Sequence, residues 1–323
     1  MGITVRAALN QALRESLAED PKVLLLGEEV AQYNGPFKIS EGLLKEFGPD
    51  RIVDTPITEM GFAGLGVGLA FQGYKPIVEF MTMNFSMQAI DQIVNSAAKT
   101  NYMSGGQMGC PIVFRGPNGS ALQNAAQHSQ SFGAWFAHVP GLKVISPYGA
   151  AESYGLLKAA IKDPDPIVFL EHEMLYGQTF DEELPTVLLE IGKSEVMQAG
   201  QDVTIVSFSI GLHHIMQALP RLRDLNISPE IINLRTLRPL DIAPVIKSIQ
   251  KTNRLVVVEE GWPFCSISSE IITQVLEQAF DYLDAPPVRV TSEDVPLPYA
   301  LNLEKLALPS ADKVVLAVQS VLK

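Results

Sequence analysis

Apolar positions Val5, Ala8, Leu9, Ala12, Leu13 and Leu17 recur with the helical period, and Thr4 stands where a side chain can cap the helix. Val23 to Leu26 is then an unbroken apolar run of strand length, the pattern of a strand buried on both faces. The rhythm repeats. Strands are expected to begin at Ile52, Ile77, Ile112 and Ile167, and helical patterns fall at Phe62–Phe71, Met87–Ala98 and Ala150–Ile161. Between Tyr176 and Gly200 the alternation breaks at an acidic stretch, DEELP, which reads as an interdomain connection. A second series follows, with strands at Val203–Phe208, Glu230–Leu234, Leu255–Val258 and Val288–Val290. Strands alternating with helices predict mostly parallel sheets covered by helices. The expected fold is α/β, with tandem domains at residues 1–185 and 195–323.

Composition narrows the class. A chain of 323 residues can bury two cores, and 47% hydrophobic with 19% charged residues is ordinary globular composition. A formal net charge of -12 argues against nucleic acid, whose phosphates need clustered Lys and Arg. Cys110 and Cys265 are the only cysteines and show no CxxC spacing, so no disulfide framework is expected and a reducing compartment is. The longest uncharged apolar run, Met60 to Phe71, is too short for a bilayer and contains four glycines. No signal or transit segment is legible, so a soluble protein of a bacterial cytoplasm, or a processed organellar one, is expected.

Candidate chemistry gathers in three stretches. In TPITEMGFAGLGVGLAFQG, Gly61, Gly64 and Gly68 leave a helix face bare for close approach of another backbone. The stretch satisfies neither GxGxxG nor a phosphate loop, so a nucleotide-binding dehydrogenase is poorly supported. Glu59 opens this helix. It reads either as a carboxylate complementing the helix dipole or, with Pro56, Ile57, Met60 and Phe62 around it, as a proton-transfer group at a strand's C-terminal end. Phe80, Met81, Met83, Phe85 and Met87 gather at a strand-to-helix junction; core packing is the default, stacking on a flat heterocycle the alternative. The turn-rich segment 116–141 holds His128 among Gln127, Ser129 and Gln130, where a structural and a catalytic role are both open. No HxxxH or HExxH spacing points to zinc.

Together these segments resemble the beta subunits of the pyruvate dehydrogenase decarboxylase component, a thiamine diphosphate family. The resemblance runs through LGEEVAQYNGPFK, RIVDTPITEMGFAG, EFMTMNFSMQAIDQIVNSAAKTNYMSGG, PIVFRGPNG, AAQHSQSF, PGLKVISP, LRTLRPLD and RVTSEDVPLPYA. It implies a pyrimidine-binding domain followed by a transketolase C-terminal-like domain. At matching positions it implies that Glu59 bonds the aminopyrimidine and drives its tautomerisation, and that Phe85 stacks on that ring with Ile57 and Met81 lining the pocket. His128 would then serve acetyl transfer from pyruvate to a lipoyl group. It implies a potassium site at Ile112, Ala160, Ile161, Asp163 and Asp165, largely through main-chain carbonyls; a simple charged turn in KDPDP is the alternative.

The chain contains no Gly-Asp dipeptide, hence no GDG motif for magnesium and diphosphate. The resemblance therefore implies an alpha subunit that supplies that half of the site in an α2β2 heterotetramer. It further implies docking to a dihydrolipoyl acetyltransferase core and a place between glycolysis and acetyl-CoA. Branched-chain 2-oxo acid or acetoin dehydrogenase subunits share the fold and cofactor and are the near alternatives. A non-catalytic assembly subunit is the alternative of another class, against which Glu59, Phe85 and His128 together speak.

Overall fold

A computed structural model describes residues 2–323. The chain divides into two compact units, residues 1–118 with 135–191 and residues 119–134 with 192–323.

In the first unit a two-residue strand, β1 (Ile3–Thr4), leads into the helix Val5–Glu19, whose start is capped by Thr4: its Oγ1 accepts the Ala7 N–H at 3.1 Å. The apolar face at Val5, Ala8, Leu9, Ala12, Leu13 and Leu17 is buried and packs against the helix Ala150–Lys162. The strands that follow are β2 (Val23–Gly27), β3 (Ile52–Asp54), β4 (Lys75–Glu79), β5 (Val113–Pro117), β6 (Lys143–Ile145) and β7 (Ile167–Glu171). These six pair in parallel in the order β6-β7-β5-β4-β2-β3. Every residue of β2, β5 and β7 is buried, as the central strands of a parallel sheet covered on both faces are. A last short strand, β8 (Thr179–Phe180), pairs antiparallel with β1.

In the second unit the strands are β9 (Glu195–Gln198), β10 (Val203–Ser207), β11 (Pro229–Asn233), β12 (Thr236–Arg238), β13 (Leu255–Val258) and β14 (Val288–Val290). Five of them form a sheet in the order β14-β13-β10-β11-β9, parallel except for the antiparallel edge strand β9. The helices Ile210–Asp224 and Ala311–Val321 pack together, as do Ala243–Thr252 and Ile267–Ala279.

Two local readings change. The pattern at Met87–Ala98 predicts one helix, and the chain is helical there but with changing winding: tight 3₁₀ turns over Met83–Ala89, wide turns over Gln92–Ala97 and α-helix at Ile90, Asp91 and from Ala98. The tight turns begin because Thr82 Oγ1 accepts from the Asn84 N–H, and the Ser86 hydroxyl donates to the Met83 carbonyl at 2.6 Å. The bare glycine face does not receive a backbone within this unit: a Cβ on Gly64 would meet only the Gln92 side chain, and one on Gly68 nothing within 4 Å. The close approach is at Gly66, where a Cβ would lie 2.7 Å from the Val78 side chain of β4.

Charge is spent at the C-terminal ends of the sheet. Arg115 of β5, 1% exposed, donates from Nε to Glu171 at 2.6 Å and from a terminal nitrogen to the other Glu171 oxygen at 2.5 Å, while its remaining nitrogen bonds Glu79 of β4. The Tyr176 hydroxyl donates to Glu171 at 2.7 Å. Burial opposes the guanidinium charge, but the two glutamates outweigh it and hold Arg115 firmly protonated. Burial also pushes the Glu79 carboxyl up, and Arg115 only partly offsets that. Arg115→Ala would strand two buried carboxyls and should cost about 3–5 kcal/mol in urea unfolding; an unchanged midpoint would show that the network carries no stability.

Candidate functional site

In a parallel sheet the place for a ligand is the edge at the strands' carboxyl ends, where the strand order reverses direction. From β2 the chain steps to β3 on one side and to β4, β5 and β7 on the other, so the reversal lies between β2 and β4. Glu28 follows the last residue of β2, and Phe80 to Ala89 leaves the end of β4. The candidate site residues of this unit are therefore gathered by topology.

Glu59 is the first residue of the helix Glu59–Phe71 and is half-buried. Thr58 gives that helix no side-chain cap, so the Glu59 carboxylate stands alone in complementing its N-terminal dipole. The apolar surroundings expected from its sequence neighbours are largely absent within the unit: Phe62 is buried, but Ile57 is 85% and Met60 59% exposed, and Pro56 is exposed too. What meets Glu59 instead is Glu28. Burial pushes the Glu28 carboxyl upward, and the charge of Glu59 and a hydrogen bond with it push the same way. Glu28 is 6% exposed and its Oε1 is buried without a partner among the described residues. Two carboxyls in contact, one biased toward its protonated form, make a unit that can hold and pass one proton.

Glu28 was not legible as a site residue in LGEEVAQYNGPFK, where it reads as one of two acidic residues after a strand. Its loop is anchored from β3: Asp54 accepts the Ala31 N–H at 2.7 Å and the Gln32 N–H at 3.0 Å. Three non-glycine residues in this loop, Glu29, Asn34 and Lys38, have φ near +60°. That conformation is held only where contacts over-determine it, a mark of loops built for a purpose.

Phe85 and Met81 lie half-buried in the segment after β4, which packs against the helix carrying Glu59. Phe80 and Met83 are fully buried, so core packing accounts for them, while Met87 is exposed. Gly116 lets this segment approach β5, because a Cβ there would lie 2.5 Å from the Phe80 carbonyl oxygen. His128 belongs to the second unit, exposed at the end of the short turn Ala126–His128.

Of the five candidate cation ligands, Ala160 and Ile161 lie in the last turn of the helix Ala150–Lys162, Asp163 and Asp165 in the turn that follows, and Ile112 immediately before β5. The Ile112 carbonyl accepts from Ile167 at 2.9 Å and the Ala160 carbonyl from Asp163 at 3.3 Å; Ile161 is buried. The two carboxylates, however, already hold an ammonium. Lys143 Nζ lies 2.7 Å from both Asp163 oxygens and 3.0 Å from Asp165. Burial disfavours the Lys143 charge, and the two aspartates outweigh that and raise its pKa. A metal ion here would rest on the second lone pairs of the main-chain carbonyls and not on the carboxylates.

With this geometry, comparison with known proteins is direct. Residues 1–179 match the family described as transketolase, pyrimidine binding domain, and residues 192–314 that described as transketolase, C-terminal domain. A solved split gene transketolase, described as an inactive beta4 tetramer, superposes with a TM-score of 0.81 at 25% identity, covering 100% of this chain and 99% of that one. The chain is 58% identical over 320 residues to the pyruvate dehydrogenase E1 component subunit beta of Rhizobium meliloti, covering 99% of this chain and 70% of that protein. It is 56% identical to the subunit of the same name from Rickettsia bellii, with 99% of each chain covered, and 58% identical to the mitochondrial one of Caenorhabditis elegans, covering 98% and 92%. The chain belongs to the family of pyruvate dehydrogenase E1 component beta subunits.

The raised Glu28 carboxyl gives a test by pH. A carboxyl that binds its proton more tightly when folded stabilises the fold below its ordinary value near 4.5 and loses that contribution as pH rises through the higher, folded value. Glu28→Gln removes the charge that must form in this site, so its melting temperature should gain on the native chain's as pH is raised from acid toward neutrality. A constant difference across that range would show that Glu28 does not titrate abnormally.

Proposed function

We propose that this chain is the beta half of an enzyme that oxidatively decarboxylates pyruvate with thiamine diphosphate and passes the acetyl group to the lipoyl arm of an acyltransferase. The observation that carries the reading is the Glu59–Glu28 carboxyl pair at the strand-order reversal. In this reading Glu59 would hydrogen-bond the aminopyrimidine and serve the proton transfer its tautomerisation requires, beside Glu28, whose carboxyl burial and Glu59 push upward. Phe85 offers a ring face, Met81 and Ile57 close the pocket, and His128 serves the acetyl transfer. The group supplies an electron sink when bound; the chain supplies orientation and proton control.

The functional halves proposed are residues 1–185 and 195–323. The exposed Ile57 and Met60, and the open face at Gly68, support an alpha subunit as the covering partner in an α2β2 assembly. That the sequence carries no Gly-Asp dipeptide supports a partner as the holder of the magnesium and diphosphate. The neighbouring split transketolase, inactive as a beta4 tetramer, is consistent with a half-site chain. A dihydrolipoyl acetyltransferase core as second partner, and a bacterial cytoplasm or organellar matrix as location, complete the reading. No described helix is long and apolar enough to cross a membrane.

For potassium we propose binding through the carbonyls of Ile112, Ala160 and Ile161, beside the Lys143–Asp163–Asp165 cluster. Melting in potassium chloride against choline chloride at equal ionic strength should show a higher transition in potassium, since a ligand of the native state stabilises it. Coincident transitions would remove potassium from the site.

The catalytic reading is tested at Glu59. In the enzyme assembled with its alpha subunit, Glu59→Gln keeps the side chain's size but cannot exchange protons. Deuterium exchange at the thiazolium carbon should slow by about 10²–10⁴-fold, the usual worth of general acid–base help. A helix-capping carboxylate would leave exchange intact and lower the melting temperature modestly.

A further inference from the structure

The segment that carries His128 buries little of its surface. From Gly119 to Gln130 only Gly119, Ser120 and Ala121 are buried, and Leu122 points outward at 58% exposure. The segment closes on itself through the Gly119 N–H and the Gln130 carbonyl at 3.0 Å, with an inner turn from Asn124 to Ala121 at 3.1 Å. Its backbone is costly to maintain. Gln123 has φ +58°, and Ala125 combines φ +59° with ψ -165°, a region that residues other than glycine rarely occupy. The turn Ala126–His128 begins directly after it.

What holds this shape is acidic and comes from elsewhere in the same unit. Glu260, two residues past β13 and 8% exposed, accepts the Ser120 N–H at 2.6 Å and the Ser120 hydroxyl at 3.0 Å. Glu304, on the helix Leu301–Ala307 and 2% exposed, accepts the Gln123 N–H at 3.0 Å. A buried carboxylate needs hydrogen bonds to compensate its desolvation, and both of these accept bonds from this loop, the second Glu304 oxygen being buried without a partner among the described residues. Glu259 next door serves a different purpose, accepting the Ser268 and Ile267 N–H groups at the start of the helix Ile267–Ala279. Ser129, adjacent to His128, shares with Glu260 the lining of a cavity of about 20 Å³.

We infer that Glu260 and Glu304 are positioning residues that hold the 119–130 loop in the strained shape that presents His128. The inference rests on the reading of His128 as the group that serves acetyl transfer. Neither glutamate touches a reacting atom; each acts through the main chain of the loop. Because the loop has no large buried apolar side chain, Ala121 being its one buried hydrophobic residue, loss of one acceptor loosens the segment on which the histidine's position depends. A displacement of about 1 Å at a reacting group can cost on the order of a hundredfold in rate.

The test uses the assembled alpha–beta enzyme and two readouts. Hydrogen–deuterium exchange over residues 119–130 reports the loop, and acetylation of a lipoyl domain is compared with pyruvate decarboxylation coupled to an artificial electron acceptor. Glu304→Ala should speed loop exchange and slow acetylation by about ten- to a hundredfold, leaving decarboxylation near its normal rate. Glu304→Gln, which keeps a carbonyl acceptor, should restore both. Should Glu304→Ala fail to assemble, Ser120→Ala, which removes one of the two bonds to Glu260, should move both readouts the same way by less. Unchanged loop exchange, or equal loss of both half-reactions, overturns the inference while leaving His128 its role. Normal acetylation by His128→Ala would overturn the reading of His128 and the inference with it.

Discussion

The first unit depends on a guanidinium buried between two carboxylates. β4, β5 and β7 are adjacent in the sheet, and Arg115 ties the ends of all three by side chains as well as by the backbone ladder. A strand covered on both faces tolerates charge only when it is fully partnered, and the partners here sit on neighbouring strands at one edge. Tyr176 extends the network to the turn after β7, and its ring meets Phe37 at 5.3 Å in the loop that begins with Glu28. The segments that bear Glu28 and Phe85 thus leave the sheet at an edge whose geometry is set by charge pairing.

The second unit uses buried carboxylates differently. Glu259 and Glu260 follow β13 in succession, yet one accepts two N–H groups at the start of the next helix and the other the N–H and hydroxyl of Ser120, about 140 residues away in sequence. A carboxylate can accept several N–H bonds at once, which suits it to fix main chain that has no ladder to join. Burial pushes the Glu259 carboxyl up even so, which indicates how much desolvation those bonds must offset. Residues 119–134 belong with this unit although their sequence neighbours on both sides belong with the other.

Much of the fold was legible because its signals are local. The capped first helix, the all-apolar β2 and the strands β10 and β13 lie where periodicity puts them. β6 escaped notice although β3 and β14, equally short, did not; β9 escaped because an exposed edge strand has no apolar face to read. The helical pattern at Met87–Ala98 showed a helix but not its winding, which Thr82, Asn84 and Ser86 tighten at its start. The Asp163–Asp165 pair read as cation ligands; that a lysine twenty residues earlier reaches them depends on β6 lying beside β7.

By itself the sequence determined the alternation of strands and helices, the parallel sheets, and which segments carry Glu59, Phe85 and His128, since these follow from periodicity, turn residues and motif spacing along the chain. Only the tertiary structure decided which charges meet. Glu28 comes beside Glu59, where burial and that neighbouring charge raise its carboxyl, and Glu260 and Glu304 accept hydrogen bonds from the His128 loop, through contacts between residues far apart in sequence. Whether a carboxyl is a solvated surface charge or a buried acid depends on what surrounds it in three dimensions, and that surrounding comes from strand order and loop closure, which no local pattern records.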